Sequence, residues 1–475
     1  MRSPDHRRHH GRCSQSVNFI WGTSTAAYQI EGGAAEDGRT PSIWDTFSHT
    51  PGRTLGGDTG DIACDHYHRS SDDVALMTKL GINGYRFSVS WSRVQPGGRG
   101  PANQRGLDFY RRLIDELHAA KIEPFLTLYH WDLPQELEDE GGWPARDTAL
   151  RFADYASLVR EALGDRVKYY TTFNEPWCTA FLGYGSGHHA PGRTNGEDAL
   201  KAAHHLNLAH VLASQALSGK EIGISLNLHA FLGEPEAVRR LEAVGNRIWL
   251  DPLFRGSYPA DLLEDTAGLT DWSFVRDGDL AADTLSFLGV NYYTRSVVRM
   301  PSHQGESSQN ESGNSYVRNL AWPGSEHVIW EDRDLPRTEM GWEIDPGGLS
   351  DLLRQTHERY GPIPMYVTEN GMAAPDQTLQ DDDRIAYLDA HLRECARVRS
   401  EGVPLRGYFL WSLMDNFEWA WGYSKRFGII HVDYGSQTRT PKASAHWYSE
   451  VIRRGGMQGG TDDDASISFS GQANA

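Results

Sequence analysis

Between residues 17 and 454, short apolar runs alternate with longer amphipathic stretches. That rhythm predicts βα units laid around a mainly parallel sheet. The runs that predict strands are Phe19–Ser24, Tyr85–Ser90, Pro124–Leu128, Tyr169–Phe173, Ile222–Leu226, Phe287–Asn291, Met365–Thr368 and Gly407–Trp411. After Asn103, the residues Leu107, Tyr110, Leu113, Ile114 and Leu117 recur at three- and four-residue intervals, which predicts a helix with one apolar face. Asn103 and Asp147 stand where helix N-caps are expected. Eight strands with helical crossovers predict an α/β fold, a single (β/α)8 TIM barrel with long βα loops. A doubly wound open sheet fits the same pattern.

The ends break the rhythm. Residues 1–16 read as a flexible N-terminal arm with a short basic start at Arg7 and Arg8, residues 17–454 as the barrel domain, and residues 455–475, rich in Gly, Asp and Ser, as a disordered tail. No apolar run follows the basic start, so a signal peptide is not expected. The polar stretch from Met300 to Asp345 is too long for an ordinary βα connection, yet it carries Trp322, Trp330 and Trp342. Its aromatic content predicts a packed loop near the mouth of a cleft.

Charge narrows the partners. A formal net charge of −18 argues against nucleic acid and against an anionic membrane surface. No apolar run approaches the ~20 residues needed to cross a bilayer. The widely spaced Cys13, Cys64, Cys178 and Cys395 read as reduced thiols of a cytoplasmic protein. The adjacent pairs His188/His189 and His204/His205 lack a spacing that aims two rings at one ion, so no metal and no cofactor is expected. A homo-oligomer is compatible with the sequence.

Candidate chemistry gathers just after the apolar runs. Asn174 and Glu175 follow the fourth, Glu369 and Asn370 the seventh, His130 and Trp131 the third, Asn291 and Tyr293 the sixth, and Trp411 closes the eighth. In a barrel these strand ends converge on one face, so Glu175 and Glu369 can share a pocket. Glycoside cleavage needs such a pair: one carboxyl protonates a poor leaving group while the other stabilises or attacks the developing oxocarbenium ion. Their surroundings must push their proton affinities apart. On its own, a glutamate after a strand is more often a solvated loop charge, and His130 more often a core histidine.

The segments FIWGTSTAAYQIEG, YRFSVSWSR, LYHWDLPQ, TFNEPW, GHHAPG, NYYTR, VTENG and LWSLMDNFEWAWGYSKRFGIIHVDY, in this order across residues 17–454, resemble glycoside hydrolase family 1, the β-glucosidase family. The resemblance implies a retaining exo-β-glycosidase acting on terminal β-D-glucosyl residues, and also on β-galactosides or β-fucosides. Its substrates would be small β-glycosides or cello-oligosaccharides. By the same resemblance Glu175 is the acid/base and Glu369 the nucleophile, with Arg86 and Tyr293 holding Glu369 anionic. Asn174 would bond the sugar 2-OH. Gln29, His130, Trp411, Glu418 and Trp419 would form the sugar site, Asn291 would support Tyr293 and the acid/base region, and Trp177, His189 and Phe427 would border the leaving-group side or pocket wall.

Two departures stand at the start: SQSVN precedes FIWG where a proline-bearing lead-in is usual, and Ser24 replaces a frequent alanine. The alternatives are a non-catalytic sugar-binding protein on the same scaffold, a transglycosylase using the same covalent intermediate, and a 6-phospho-β-glycosidase. The Glu418 carboxylate argues against the last, because it would repel a phosphate.

Overall fold

The computed structural model describes residues 19–306, 320–374 and 379–457. The expected N-terminal arm therefore lies outside the described residues, as do Cys13 and all but the first three positions of the expected tail.

Among the described residues, thirteen strands run in chain order: β1 Ile20–Ser24, β2 Gly84–Ser88, β3 Glu123–Tyr129, β4 Tyr169–Asn174, β5 Glu221–Asn227, β6 Ala230–Gly233, β7 Phe287–Asn291, β8 Arg295–Arg299, β9 Ile329–Glu331, β10 Met365–Asn370, β11 Leu405–Trp411, β12 Ile430–Asp433 and β13 Thr438–Pro441. Eight of them close a parallel barrel in the order β1-β11-β10-β7-β5-β4-β3-β2. Closure removes the open sheet from consideration. Each of the eight overlaps one of the apolar runs read from the sequence. These strands are buried on both faces, inward by each other and outward by helices, so their sequences lack a strict apolar/polar alternation.

The helix Gln104–Ala119 buries the expected Leu107, Tyr110, Leu113, Ile114 and Leu117; each such aliphatic side chain contributes roughly 2 kcal/mol on leaving water. Asn103 does occupy its N-cap position, but its amide donates instead to the carbonyls of Asp37 and Arg93, both at 2.8 Å. Asp147 is not a cap. The helix Arg146–Leu163 begins after Ala145, just beyond Pro144, and Asp147 falls in its first turn, where a carboxylate still suits the positive end of the helix.

Inside the barrel, below the strand C-termini, Phe125, Phe287, Tyr366 and Phe409 form a separate buried cluster with Ile20 and Tyr169 against it. Phe125 stacks on Tyr169 with centroids 4.2 Å apart. Strand glycines seat these rings: a Cβ on Gly22 would lie 2.3 Å from Phe409, and one on Gly223 2.3 Å from Phe287. Glycine in a strand interior is otherwise unfavourable; here the bare backbone makes room for the aromatic plug.

The long stretch after Met300 is partly ordered by sheet. β8 pairs antiparallel with β9 and parallel with β6, forming a small three-stranded sheet outside the barrel. Trp322 and Trp330 are buried, and Trp342 packs on Tyr293 and Phe427. The expected packed loop is thus present in the described part of the stretch; residues 307–319 lie outside it. Ser24, the departure from the family pattern, is buried and donates to the Thr368 carbonyl at 2.8 Å, tying β1 to β10.

Candidate active site

β4 delivers Asn174 and, one residue on, Glu175. The backbone of Glu175 turns to φ 45°, a left-handed conformation uncommon for a residue with a side chain. Trp131 (φ 77°), just after β3, and Trp419 (φ 51°), in the loop after β11, share this feature. Such strain persists where the surrounding structure over-determines it, and it clusters at functional sites. The Glu175 backbone is over-determined: its N–H donates to Ser225 O at 2.8 Å and its carbonyl accepts from Cys178 N at 2.9 Å. On β10 the pairing with β7 shifts register between Val367 and Glu369. A bulge of this kind re-aims a side chain at a barrel rim.

A relay of three polar side chains joins the two carboxyls. Glu369 Oε1 accepts from Arg86 Nη1 at 2.7 Å, and its Oε2 accepts from the Tyr293 hydroxyl at 2.8 Å. Arg86 Nη2 donates to Asn174 Oδ1 at 2.6 Å. Asn291 Nδ2 donates to that same oxygen at 3.0 Å and to Glu175 Oε1 at 2.8 Å. Thr368 fixes the Asn291 amide by donating to its Oδ1 at 2.6 Å. Asn291 therefore supports Glu175 directly, with Asn174 rather than Tyr293 as its other partner. All seven side chains come from strand ends or the residues just beyond, except Arg86, which rises from the middle of β2.

Burial raises the proton affinity of both carboxyls, but the groups that oppose it differ. Burial raises the proton affinity of Glu369, but the Arg86 cation opposes it most strongly, followed by the Tyr293 hydroxyl. Glu175 has only neutral donors, Asn291 and Cys178. Burial pushes its pKa up first, and the nearby Glu369 charge adds to that. The arrangement therefore favours a protonated Glu175 facing an ionised Glu369, the division of labour that glycosidic chemistry demands.

On the other side of the pocket, Gln29 Nε2 donates to Phe417 O at 2.8 Å, Asn416 Oδ1 at 3.0 Å and Glu418 Oε2 at 3.4 Å. Glu418 is pushed up to about 8 by burial and then by the charges of Glu369 and Glu175. The His130 ring stacks against Trp411 and Trp419, with centroids 5.9 and 5.8 Å away. Burial, and then Arg86, keep that ring neutral. Because Asn174 Nδ2 donates to its Nε2 at 2.9 Å, the ring proton belongs on Nδ1. Both His130 Nδ1 and Gln29 Oε1 are buried without a protein partner. Buried polar atoms left so are where ligand hydroxyls or water bond.

The softer expectations separate. Phe427 packs against Tyr293 and Trp342. Trp177 belongs to a different cluster, 4.8 Å from both His229 and Trp322. His189 contacts Trp44 and Trp131, on the Trp419 side. Cys178, Asn227 and Thr368 were missed from the sequence as site residues. Asn227 ends β5 as Asn174 and Asn291 end their strands, so the strand-end rule could have found it. The described residues contain no cluster of His, Cys, Asp and Glu able to hold a metal ion. His204 bonds Asp279 and Tyr258, and His205 the Trp143 carbonyl.

A closed (β/α)8 barrel with two electrostatically distinct carboxyls at its strand ends defines a glycoside hydrolase. The chain belongs to glycosyl hydrolase family 1, whose model matches residues 14–457. Its relatives include a bifunctional beta-D-glucosidase/beta-D-fucosidase of Bifidobacterium breve, 50% identical over 91% of this chain and 97% of that protein. Beta-glucosidase A of Thermotoga maritima is 43% identical over 93% and 98%. Among solved structures, a psychrophilic beta-glucosidase from Micrococcus antarcticus superposes with a TM-score of 0.86 at 48% identity, covering 92% of this chain and 97% of that one. The Thermotoga maritima enzyme in complex with cyclophellitol gives 0.85 at 42% identity over 93% and 99%.

Proposed function

We propose that this chain is a retaining exo-β-glucosidase that removes terminal non-reducing β-D-glucosyl residues from small β-glycosides and cello-oligosaccharides, and also accepts β-fucosides and β-galactosides. Glu369 attacks the anomeric carbon while Glu175 gives its proton to the departing oxygen. Glu175 then takes a proton from water as that water releases the sugar from Glu369. The observation that carries this assignment is the unequal clamp: a cation and a phenol on Glu369, neutral donors alone on Glu175. Asn174 bonds the 2-OH, and Gln29, His130, Glu418 and Trp419 bind the remaining hydroxyls, with Trp411 beneath the ring. Trp177 and Phe427 stand for the leaving-group side and the pocket wall.

A phosphorylated sugar fits poorly. The cations that follow Glu418 in sequence are engaged: Lys425 Nζ bonds the Glu339 carbonyl at 2.5 Å, and Arg426 Nη1 bonds Val432 O at 2.9 Å and Asp415 Oδ2 at 3.2 Å. Among the described residues no helix is long and apolar enough to cross a membrane. A cytoplasmic setting belongs to the same proposal, supported by the free thiols of Cys64, Cys178 and Cys395.

Release of nitrophenol from β-D-glucoside, β-D-galactoside and β-D-fucoside substrates tests the activity; no turnover of any across a broad pH scan would end the proposal. Glu369→Gly should abolish hydrolysis, and azide should restore cleavage of an activated glucoside to give the α-glucosyl azide. A β-azide from that variant would mean that the two carboxyls exchange roles.

A further inference from the structure

We propose that Cys178 is a positioning residue for Glu175, a neutral thiol donor, itself oriented by Asn227, that favours the carboxylate form needed when Glu175 activates water. The inference rests on the acid/base assignment above. Cys178 follows Glu175 by three residues, at the start of the helical turn Cys178–Gly185, so the turn carries its side chain back over the glutamate. Its Sγ lies 3.1 Å from Glu175 Oε2. Asn227 Nδ2, at the end of β5, donates to the same sulfur at 3.5 Å. A thiol has one proton. With the sulfur's lone pair facing the Asn227 amide, that proton is directed to Oε2.

The direction of the proton matters because the other carboxyl oxygen is already taken. Oε1 accepts from Asn291, so the oxygen that exchanges a proton with leaving group and water is Oε2, the one the thiol touches. A strong or charged donor there would hold Glu175 ionised and spoil it as an acid. A thiol is a weak donor, and burial together with the Glu175 charge raises its own pKa far above the working range, so it stays protonated. The titratable and charged groups that influence Glu175 are Glu369 and Arg86, with Tyr293 and Glu418 also within its electrostatic reach. The groups that favour its anion are Asn291, then Cys178, then Arg86; Asn291 holds Oε1, and Arg86 is bonded elsewhere, to Glu369 and Asn174.

The test is the pH profile of kcat/KM on nitrophenyl β-D-glucoside for the full chain. Its alkaline limb reports loss of the Glu175 proton. Removing a donor from the carboxylate raises the pKa, so Cys178→Val and Cys178→Ala should each move that limb upward by about half a pH unit, about a threefold gain in protonated fraction at fixed alkaline pH. Cys178→Ser, which keeps a donor, should restore the limb towards the parent position. Asn227→Ala should move it in the same direction as Cys178→Ala but by less. If Cys178 merely packs, kcat or KM changes while the limb stays in place. An unmoved limb in both the Val and Ala variants, with the parent enzyme active and the variants melting normally, overturns the proposal. An inactive parent would instead defeat the glucosidase assignment itself.

Discussion

Replacing Arg86 by methionine removes the cation bonded to Glu369 while keeping most of the side chain's volume. Both partners are buried, with side-chain exposures of 1% and 4%. Breaking a buried ion pair from one side costs about 3–5 kcal/mol when the remaining charge stays unpaired. Glu369 can avoid part of that by taking up a proton, since burial already raises its proton affinity and Arg86 is the strongest influence opposing it. The nucleophile must be ionised to attack, so the acidic limb of the pH–rate profile should move to higher pH. At the optimum, loss of a charge-assisted hydrogen bond of roughly 1.5–3 kcal/mol should lower kcat/KM by about ten- to hundredfold. Stability carries an independent signature. Burial already raises Glu369 in the parent, so the folded variant binds an extra proton relative to the folded parent between the parent's folded pKa and its own higher one, and its melting deficit should grow as pH rises through that window. The assay is kcat/KM on nitrophenyl β-D-glucoside from pH 4 to 9 with thermal melts at each end, about five pH units in all. An acidic limb that stays with the parent, together with less than about a fivefold loss, would refute the argument.

Two further outcomes follow from packing and charge. A Cβ on Gly371 would sit 1.7 Å from the Trp411 carbonyl oxygen, backbone that cannot swing aside, so Gly371→Ala should displace the β10–β11 strand ends and lower both activity and Tm, measured by assay and calorimetry. Asp415 is fully buried and receives Lys442 Nζ at 2.8 Å, Arg426 Nη1 at 3.2 Å and Gly428 N at 3.0 Å, so Asp415→Ala should destabilise the fold by about 3–5 kcal/mol in chemical unfolding.

The barrel was legible because its strands are short apolar runs with one compatible environment, buried on both faces. The accessory sheet was not. β6, β8 and β9 mix exposed and buried positions over three to five residues, too few for a period-two pattern to emerge, and they pair across long stretches of chain. The Asp147 cap failed because local spacing does not reveal where Pro144 lets the helix begin. At the site, Glu175, Glu369, Arg86, Asn174 and Tyr293 stood out as polar residues after apolar runs or through family motifs. Cys178 did not: a buried cysteine on a helical turn reads as packing, and only its distance to Oε2 gives it chemistry. Trp177 and His189 shared one expectation yet lie against different aromatic clusters, since sequence order says nothing about which wall of a pocket a loop will form.

The glycine-seated rings of Phe125, Phe287, Tyr366 and Phe409 make the barrel a blind well. Whatever enters by the rim must leave by it. Both carboxyls, Glu175 and Glu369, stand at that rim, so the path in and the path out pass the same two groups. A single doorway is thus written into the packing of the floor.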